Sequence, residues 1–138
     1  MGIHVRPKDP RSRQAAVESF APAARRVIEA VTASTTALQA VVERSPEYPA
    51  DPRTAFAAVC AYRAAQAEVD DAIAAYLAWC VVAGLSRSGM ARALGVRATT
   101  LSAWLAPYEG IAGARAGDLH RDSDGSWRAR RIDPADAL

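Results

Sequence analysis

The sequence predicts an all-α protein with a long antiparallel helical hairpin, a pair of short helices, and a C-terminal tail that is irregular or folded as a short β-hairpin. Apolar residues recur with helical spacing over two long stretches, and a proline-rich loop separates them. Alanine supplies almost half of the hydrophobic fraction of 51%, and aromatic residues make up only 7%. Such a composition favours closely packed helices around a thin core.

The chain of 138 residues divides into four regions. We expect a flexible basic arm at residues 1–10, a helical hairpin at 11–83, the short helix pair at 84–106 and a C-terminal extension at 107–138. Within the extension, an Asp-Gly pair predicts a short hairpin at 118–132.

The first long helix is predicted from Gln14 to Ser45. Pro22 interrupts it, so the helix either kinks there or begins near Ser19 with proline in its first turn. Its small and apolar positions recur in alternating steps of three and four residues, at Val17, Phe20, Ala24, Val27, Val31, Ser34, Leu38, Val41 and Ser45.

The second long helix follows a loop at residues 45–52 that contains three prolines. Asp51 and Pro52 predict its start, and Gly84 predicts its end after Ala83. The same spacing occurs at Val59, Tyr62, Gln66, Val69, Ile73, Tyr76 and Cys80. Two arrangements fit this spacing. Either the helices pack only on each other, or two chains form a four-helix bundle that covers outer apolar residues such as Ile28, Val42 and Val81.

Residues 84–106, GLSRSGMARALGVRATTLSAWLA, predict two short helices joined by a tight turn. Ser86 caps a helix over Arg87–Leu94, and a second helix follows from about Ala98 to Ala106. Helices that cross steeply need a small residue at their closest approach, a glycine at the turn and apolar residues facing inward. The residues that meet these requirements are Met90, Ala91, Leu94, Gly95, Val96, Leu101, Trp104 and Leu105.

This pattern resembles the helix-turn-helix of phage repressors, resolvases and other homeodomain-like bacterial regulators. The resemblance implies that the second helix enters the major groove of double-stranded DNA. The implied DNA contacts are Arg97, Ala98, Thr99, Thr100, Ser102 and Ala103, with Arg87 and Arg92 of the first helix toward the DNA backbone. Two of these are alanines at positions where family members often have Arg, Gln or Asn. We therefore expect binding to need a homodimer or further basic elements, namely the amino-terminal arm, Arg121, Arg128, Arg130 and Arg131.

The predicted function is a sequence-specific transcriptional regulator that binds DNA as a dimer, of the phage or actinobacterial repressor or accessory-regulator type. The charge distribution agrees with this prediction, because residues 86–105 contain three arginines and no acidic residue although the net charge is only +2. The alternative is a protein-interaction module in which the hairpin binds a partner and the helix-turn-helix is only a scaffold.

Other function classes lack a supporting pattern in the sequence. No nucleophile with a neighbouring base, no carboxylate cluster, no metal-ligand spacing and no glycine-rich phosphate loop occurs. We therefore expect no enzymatic activity, cofactor, metal or small-molecule effector. No apolar stretch has the length of a signal peptide or a membrane span, so we expect a cytoplasmic protein without a membrane partner.

Overall fold

The computed structural model describes residues 3–44 and 51–129. The elements in chain order are α1 Pro10–Arg44, α2 Pro52–Val82, α3 Arg87–Leu94, α4 Ala98–Leu105, α5 Glu109–Ala112, β1 Leu119–Arg121 and β2 Trp127–Ala129. Helix dominates, and α1 packs along α2, which confirms the all-α prediction with a long helical hairpin. Within the described ranges, no helix is long and apolar enough to cross a membrane.

Both long helices begin with the same tripeptide, Asp-Pro-Arg. Asp9 accepts hydrogen bonds from the Ser12 N–H and from the Ser12 hydroxyl, both at 2.8 Å. Asp51 accepts one from the backbone N–H of Arg53 at 3.0 Å. Backbone N–H groups in the first turn of a helix have no helical acceptor. The proline after each aspartate has no N–H, so this position costs it no hydrogen bond. The predicted start of α1 at Gln14, and its alternative near Ser19, are therefore wrong, and Pro22 lies inside a continuous helix.

The fully buried residues of α1 are small, and of the large apolar residues predicted for α1, Phe20 packs against Tyr76 of α2. The buried residues of α1 are Ser12, Ala15, Ala16, Ser19 and Ser34. In contrast, Val17 of the predicted seam is 69% exposed and Val31 is 43% exposed. Alanine and serine allow two helices to approach closely, so the row of small residues lies in the contact.

The short helices α3 and α4 pack against the carboxyl end of α2. The cluster they form with it contains Ala78, Val81, Met90, Ala91, Leu101, Leu105 and Ala112. Gly95 follows α3 with φ +71°, as a sharp turn after a helix requires. This packing buries Val81, which we had grouped with the exposed outer residues of the hairpin.

Residues 3–9, expected to be a flexible arm, lie against the turn between α2 and α3. Val5 forms an antiparallel bridge with Leu85, and the N–H of Arg6 donates to the carbonyl of Gly84 at 2.9 Å. Ile3 packs against the same cluster as α3 and α4. The amino-terminal segment is therefore paired with the folded protein and does not project from it.

The C-terminal extension forms the predicted hairpin over residues 119–129, and residues 130–132 lie outside the described part. Strands β1 and β2 are antiparallel, with Leu119 opposite Ala129 and a turn at residues 122–125. Leu119 is fully buried in a second cluster with Ala15, Ala16, Trp79 and Val82. The hairpin thus packs on the start of α1 and the end of α2.

Candidate nucleic-acid interface

Helix α4 has one buried face and one open face. Leu101 and Leu105 are buried against α2. On the outward side, the predicted contact residues Ala98, Thr99, Ser102 and Ala103 are all exposed, whereas Thr100 is half-buried. Helical spacing aligns residues 99, 102 and 103 of α4 with Ala106, which directly follows the helix, in one strip. This strip presents two hydroxyl groups and two alanine methyl groups, and it has no charge of its own.

Arg97 stands at the start of α4 with an exposed side chain. Its backbone is extended, at φ −75° and ψ 154°, and its side chain makes no capping hydrogen bond. The first N–H groups of α4 consequently have no side-chain acceptor. Within the described ranges, the Arg97 guanidinium has no ion pair either. Open N–H groups beside a free cation provide a setting in which an anion such as a phosphate is stabilised.

The two arginines of α3 differ in their surroundings. Arg92 is exposed and has no ion pair among the residues described. The guanidinium of Arg87 forms a two-point ion pair with Glu109, with Nη2 to Oε2 at 3.0 Å. The hydrogen bond from Arg87 lowers the pKa of Glu109 below its ordinary value. This ion pair links α3 to α5. Glu109 therefore already neutralises the charge of Arg87, which we expected to face the DNA backbone.

A basic groove lies beside the start of α3. It has a volume of about 330 Å³ and is lined by Arg6 and Lys8 on one side and by Ser86, Arg87 and Ser88 on the other. Ser88 lies one helical turn before Arg92, so the groove continues into the exposed face of α3. Residues 3–8 and 84–108 together contain five Arg and Lys residues and no Asp or Glu.

The sequence pattern did not single out Arg6 and Lys8 within the amino-terminal arm. The excess of basic residues near the amino end was visible, but the bridge that places them beside α3 joins segments far apart in the chain. The other expected basic elements contribute less. Arg121 pairs with Glu18 and Arg128 with Asp122. Arg130 and Arg131 lie outside the described residues.

The predicted core of the α3–α4 unit is only partly buried. Met90, Ala91 and Leu101 are buried, and Val96 packs against the cluster. Leu94 and Trp104, however, are 46% and 41% exposed, so their placement in the core was wrong. The unit contacts α2 through the face that contains Leu101, and these two side chains lie beyond the area that α2 covers.

A hydrogen-bonded network holds the α3–α4 unit on the hairpin. The Tyr108 hydroxyl donates to Oδ2 of Asp71 at 2.8 Å and accepts from Nη1 of Arg26 at 3.2 Å, and Arg26 also pairs with Asp71. The Tyr108 hydrogen bond and the Arg26 charge lower the pKa of Asp71. Because the three groups come from α1, α2 and the turn after α4, they fix the orientation of α4. The sequence did not indicate this network.

Comparison with protein-family models, with curated proteins and with solved structures found no match for this chain. Within residues 3–44 and 51–129, no group of three or more His, Cys, Asp or Glu side chains is placed to hold a metal ion.

Proposed function

We propose that the protein binds double-stranded DNA through α3 and α4 as a helix-turn-helix, and that it acts as a dimeric transcriptional regulator of the repressor or accessory type. The observation that supports this proposal is the open strip of α4 beside four basic residues that have no ion pair among the described residues, namely Arg6, Lys8, Arg92 and Arg97, while Arg87 is paired with Glu109. Duplex DNA has one negative charge per ~1.7 Å of helix axis, so such a region attracts it over several ångströms.

Each part of this surface has a chemical role in the proposed complex. The hydroxyls of Thr99 and Ser102 form hydrogen bonds with base edges or phosphates, and Ala98 and Ala103 contact thymine methyl groups. Arg97 and the open start of α4 bind a phosphate. One strip with two hydroxyls distinguishes few base pairs, so recognition of a specific site requires two copies of α4 on one DNA molecule.

A protein-interaction function is the second candidate. The exposure of Leu94 and Trp104 favours it, because tryptophan is enriched in the centres of protein interfaces. In this alternative, the α3–α4 unit is a scaffold and its basic surface has no specific DNA target.

DNA binding by fluorescence anisotropy across a salt series distinguishes the two candidates. The comparison uses wild type, Arg97→Ala, Thr99→Ala and the control Arg63→Ala, with random duplexes and a duplex selected from a genomic pool. Arg63 is exposed on α2, about 20 Å along the helix from Ala78. We expect Arg97→Ala to weaken binding to every duplex and to reduce the slope of log affinity against log salt by about 1.

Thr99→Ala is expected to weaken binding to the selected duplex about tenfold and to change random-duplex binding little. Arg63→Ala should match wild type. Absence of duplex binding by wild type at the lowest salt concentration would exclude the DNA proposal and favour the interaction module.

A further inference from the structure

The hairpin exposes a second row of uncharged residues beside the small residues that join its two helices. On α1 the row comprises Val17, Ala21, Ala24, Ile28, Val31, Thr35, Leu38 and Val42. On α2 it comprises Ala55, Val59, Tyr62, Gln66 and Ile73. Val69 has the same spacing but is buried. We call these thirteen exposed or half-exposed positions the outer seam. Counted with Val69, their steps average about 3.5 residues, the spacing with which a helix keeps one stripe against a neighbouring helix.

The outer seam faces away from the α3–α4 unit. The ion pair between Arg26 and Asp71 marks the side of the hairpin where Tyr108 attaches that unit. Ile28 and Ile73 each lie two residues after a member of this pair, which corresponds to about 200° around a helix. Both isoleucines therefore lie on the opposite side of the hairpin, and a molecule bound to the outer seam leaves α4 open.

The outer seam is large enough to be an interface. Ile28 is 64% exposed and Val42 is 74% exposed, and five further large side chains of the seam are at least 36% exposed, namely Val17, Val31, Val59, Tyr62 and Ile73. Their exposed surface sums to roughly 600–700 Å² per chain, close to the ~800 Å² that each partner contributes to a standard interface. Single apolar patches on monomers rarely exceed this size.

The distal half of the hairpin has almost no core of its own. Between residues 20 and 44 of α1 only Ser34 is buried, and between residues 52 and 68 of α2 only Ala58 is buried. A groove of about 240 Å³ separates the helices there, next to Val41 and Thr54. Two fully buried small side chains, with half-buried residues such as Val27 and Val41 around them, offset only part of the conformational entropy lost by ordering some ten helical turns. Covering the outer seam supplies the missing burial.

We propose that a second copy of this chain binds the outer seam, so that two hairpins form a four-helix bundle. A second copy fits because both helices of each hairpin present the same spacing, and two such surfaces are complementary across a two-fold axis. The absence of charge allows the two surfaces to meet without repulsion. This proposal locates the homodimer of the proposed function, yet it is argued from the hairpin alone.

Sedimentation equilibrium of the full chain at micromolar concentrations tests the proposal. Wild type is expected at twice the monomer mass of 14.6 kDa. The double variant Ile28→Glu/Ile73→Glu should raise the dimer dissociation constant by a factor of about 100 or more, because each copy then brings two unpaired charges into the apolar contact. Thr36→Glu is the matched control, since Thr36 is exposed on α1 outside the outer seam. It should remain dimeric and keep the helical circular dichroism of wild type, whereas the double variant should lose part of that signal as its distal hairpin opens.

The wild-type mass decides the question even where a variant folds poorly. A mass of 14.6 kDa at every concentration overturns the proposal. A dimer that Ile28→Glu/Ile73→Glu leaves intact also overturns it, because another surface must then join the copies. DNA binding is measured separately. A dimer that dissociates in Ile28→Glu/Ile73→Glu but does not bind DNA supports the outer seam and refutes the proposed function. A monomer that binds DNA overturns the outer seam and leaves DNA binding through α3 and α4 without the dimer.

Discussion

Gly84 and Gly95 both have a positive φ, at +113° and +71°, but their surroundings differ. A Cβ atom built on Gly95 would have no heavy atom within 4 Å. A Cβ atom on Gly84 would lie 2.4 Å from the carbonyl oxygen of Arg6. The two glycines therefore have the same backbone requirement, and only Gly84 also allows the amino-terminal segment to approach.

Alanine substitutions separate these two contributions. We expect Gly95→Ala to lower the free energy of unfolding by about 1 kcal/mol, the cost of a positive φ in a residue with a side chain. Gly84→Ala should lower it by about 3 kcal/mol, because the amino-terminal segment must also move. Urea denaturation followed by circular dichroism measures both values. Equal losses would show that the contact with Arg6 adds nothing to stability.

Residue roles were predictable from sequence where the cause was local. The capping by Asp51 and Ser86 and the turn at Gly95 follow from residues within one helical turn. The ion pair of Arg87 with Glu109 was not predictable, because it depends on how α5 folds back toward α3. The exposure of Trp104 was missed for the same reason, since only the packing on α2 decides which face of α4 is covered.

At the level of elements, the helical spacing located the helices but not the faces that join them. α1 has two rows with an average step of about 3.5 residues, one of small residues and one of larger apolar residues. Periodicity alone does not show which row faces α2, and hydrophobicity favoured the larger one. On α1 the small residues are the buried ones, because they permit the closer approach, and Val17 and Val31 stay on the surface. On α2 the large side chains of Val69, Trp79 and Val82 are buried as well.

The amino-terminal segment is the second element whose placement has a functional consequence. Its bridge to Leu85 holds Arg6 and Lys8 beside the start of α3. We expect the Arg6→Ala/Lys8→Ala variant to weaken binding to all duplexes alike and to reduce the salt slope by about 2, since two phosphate contacts are lost. Anisotropy titrations against the Arg63→Ala control measure this change. A loss confined to one duplex would instead indicate that the segment contacts bases.

At the scale of the whole molecule, burial is concentrated at one end. The largest fully buried side chains are Leu101, Leu105 and Leu119, all near the carboxyl end of α2. The distal half of the hairpin has only small buried residues. Stability in the isolated chain should therefore decline along the hairpin toward its loop, since local opening depends on the apolar surface buried nearby.

Hydrogen exchange resolves this gradient and its dependence on the second copy. In wild type at micromolar concentration, the amides of residues 30–44 and 52–65 should be protected, because the four-helix bundle buries their outer seam. In Ile28→Glu/Ile73→Glu we expect these amides to exchange about 100-fold faster, while those of residues 78–105 change little. Thr36→Glu should exchange like wild type.

A uniform acceleration along the chain would show that the substitutions destabilise the fold as a whole. Unchanged exchange rates of residues 30–44 and 52–65 in the double variant would show that the distal hairpin is stable without a partner. Its stability would then not require a second copy on the outer seam.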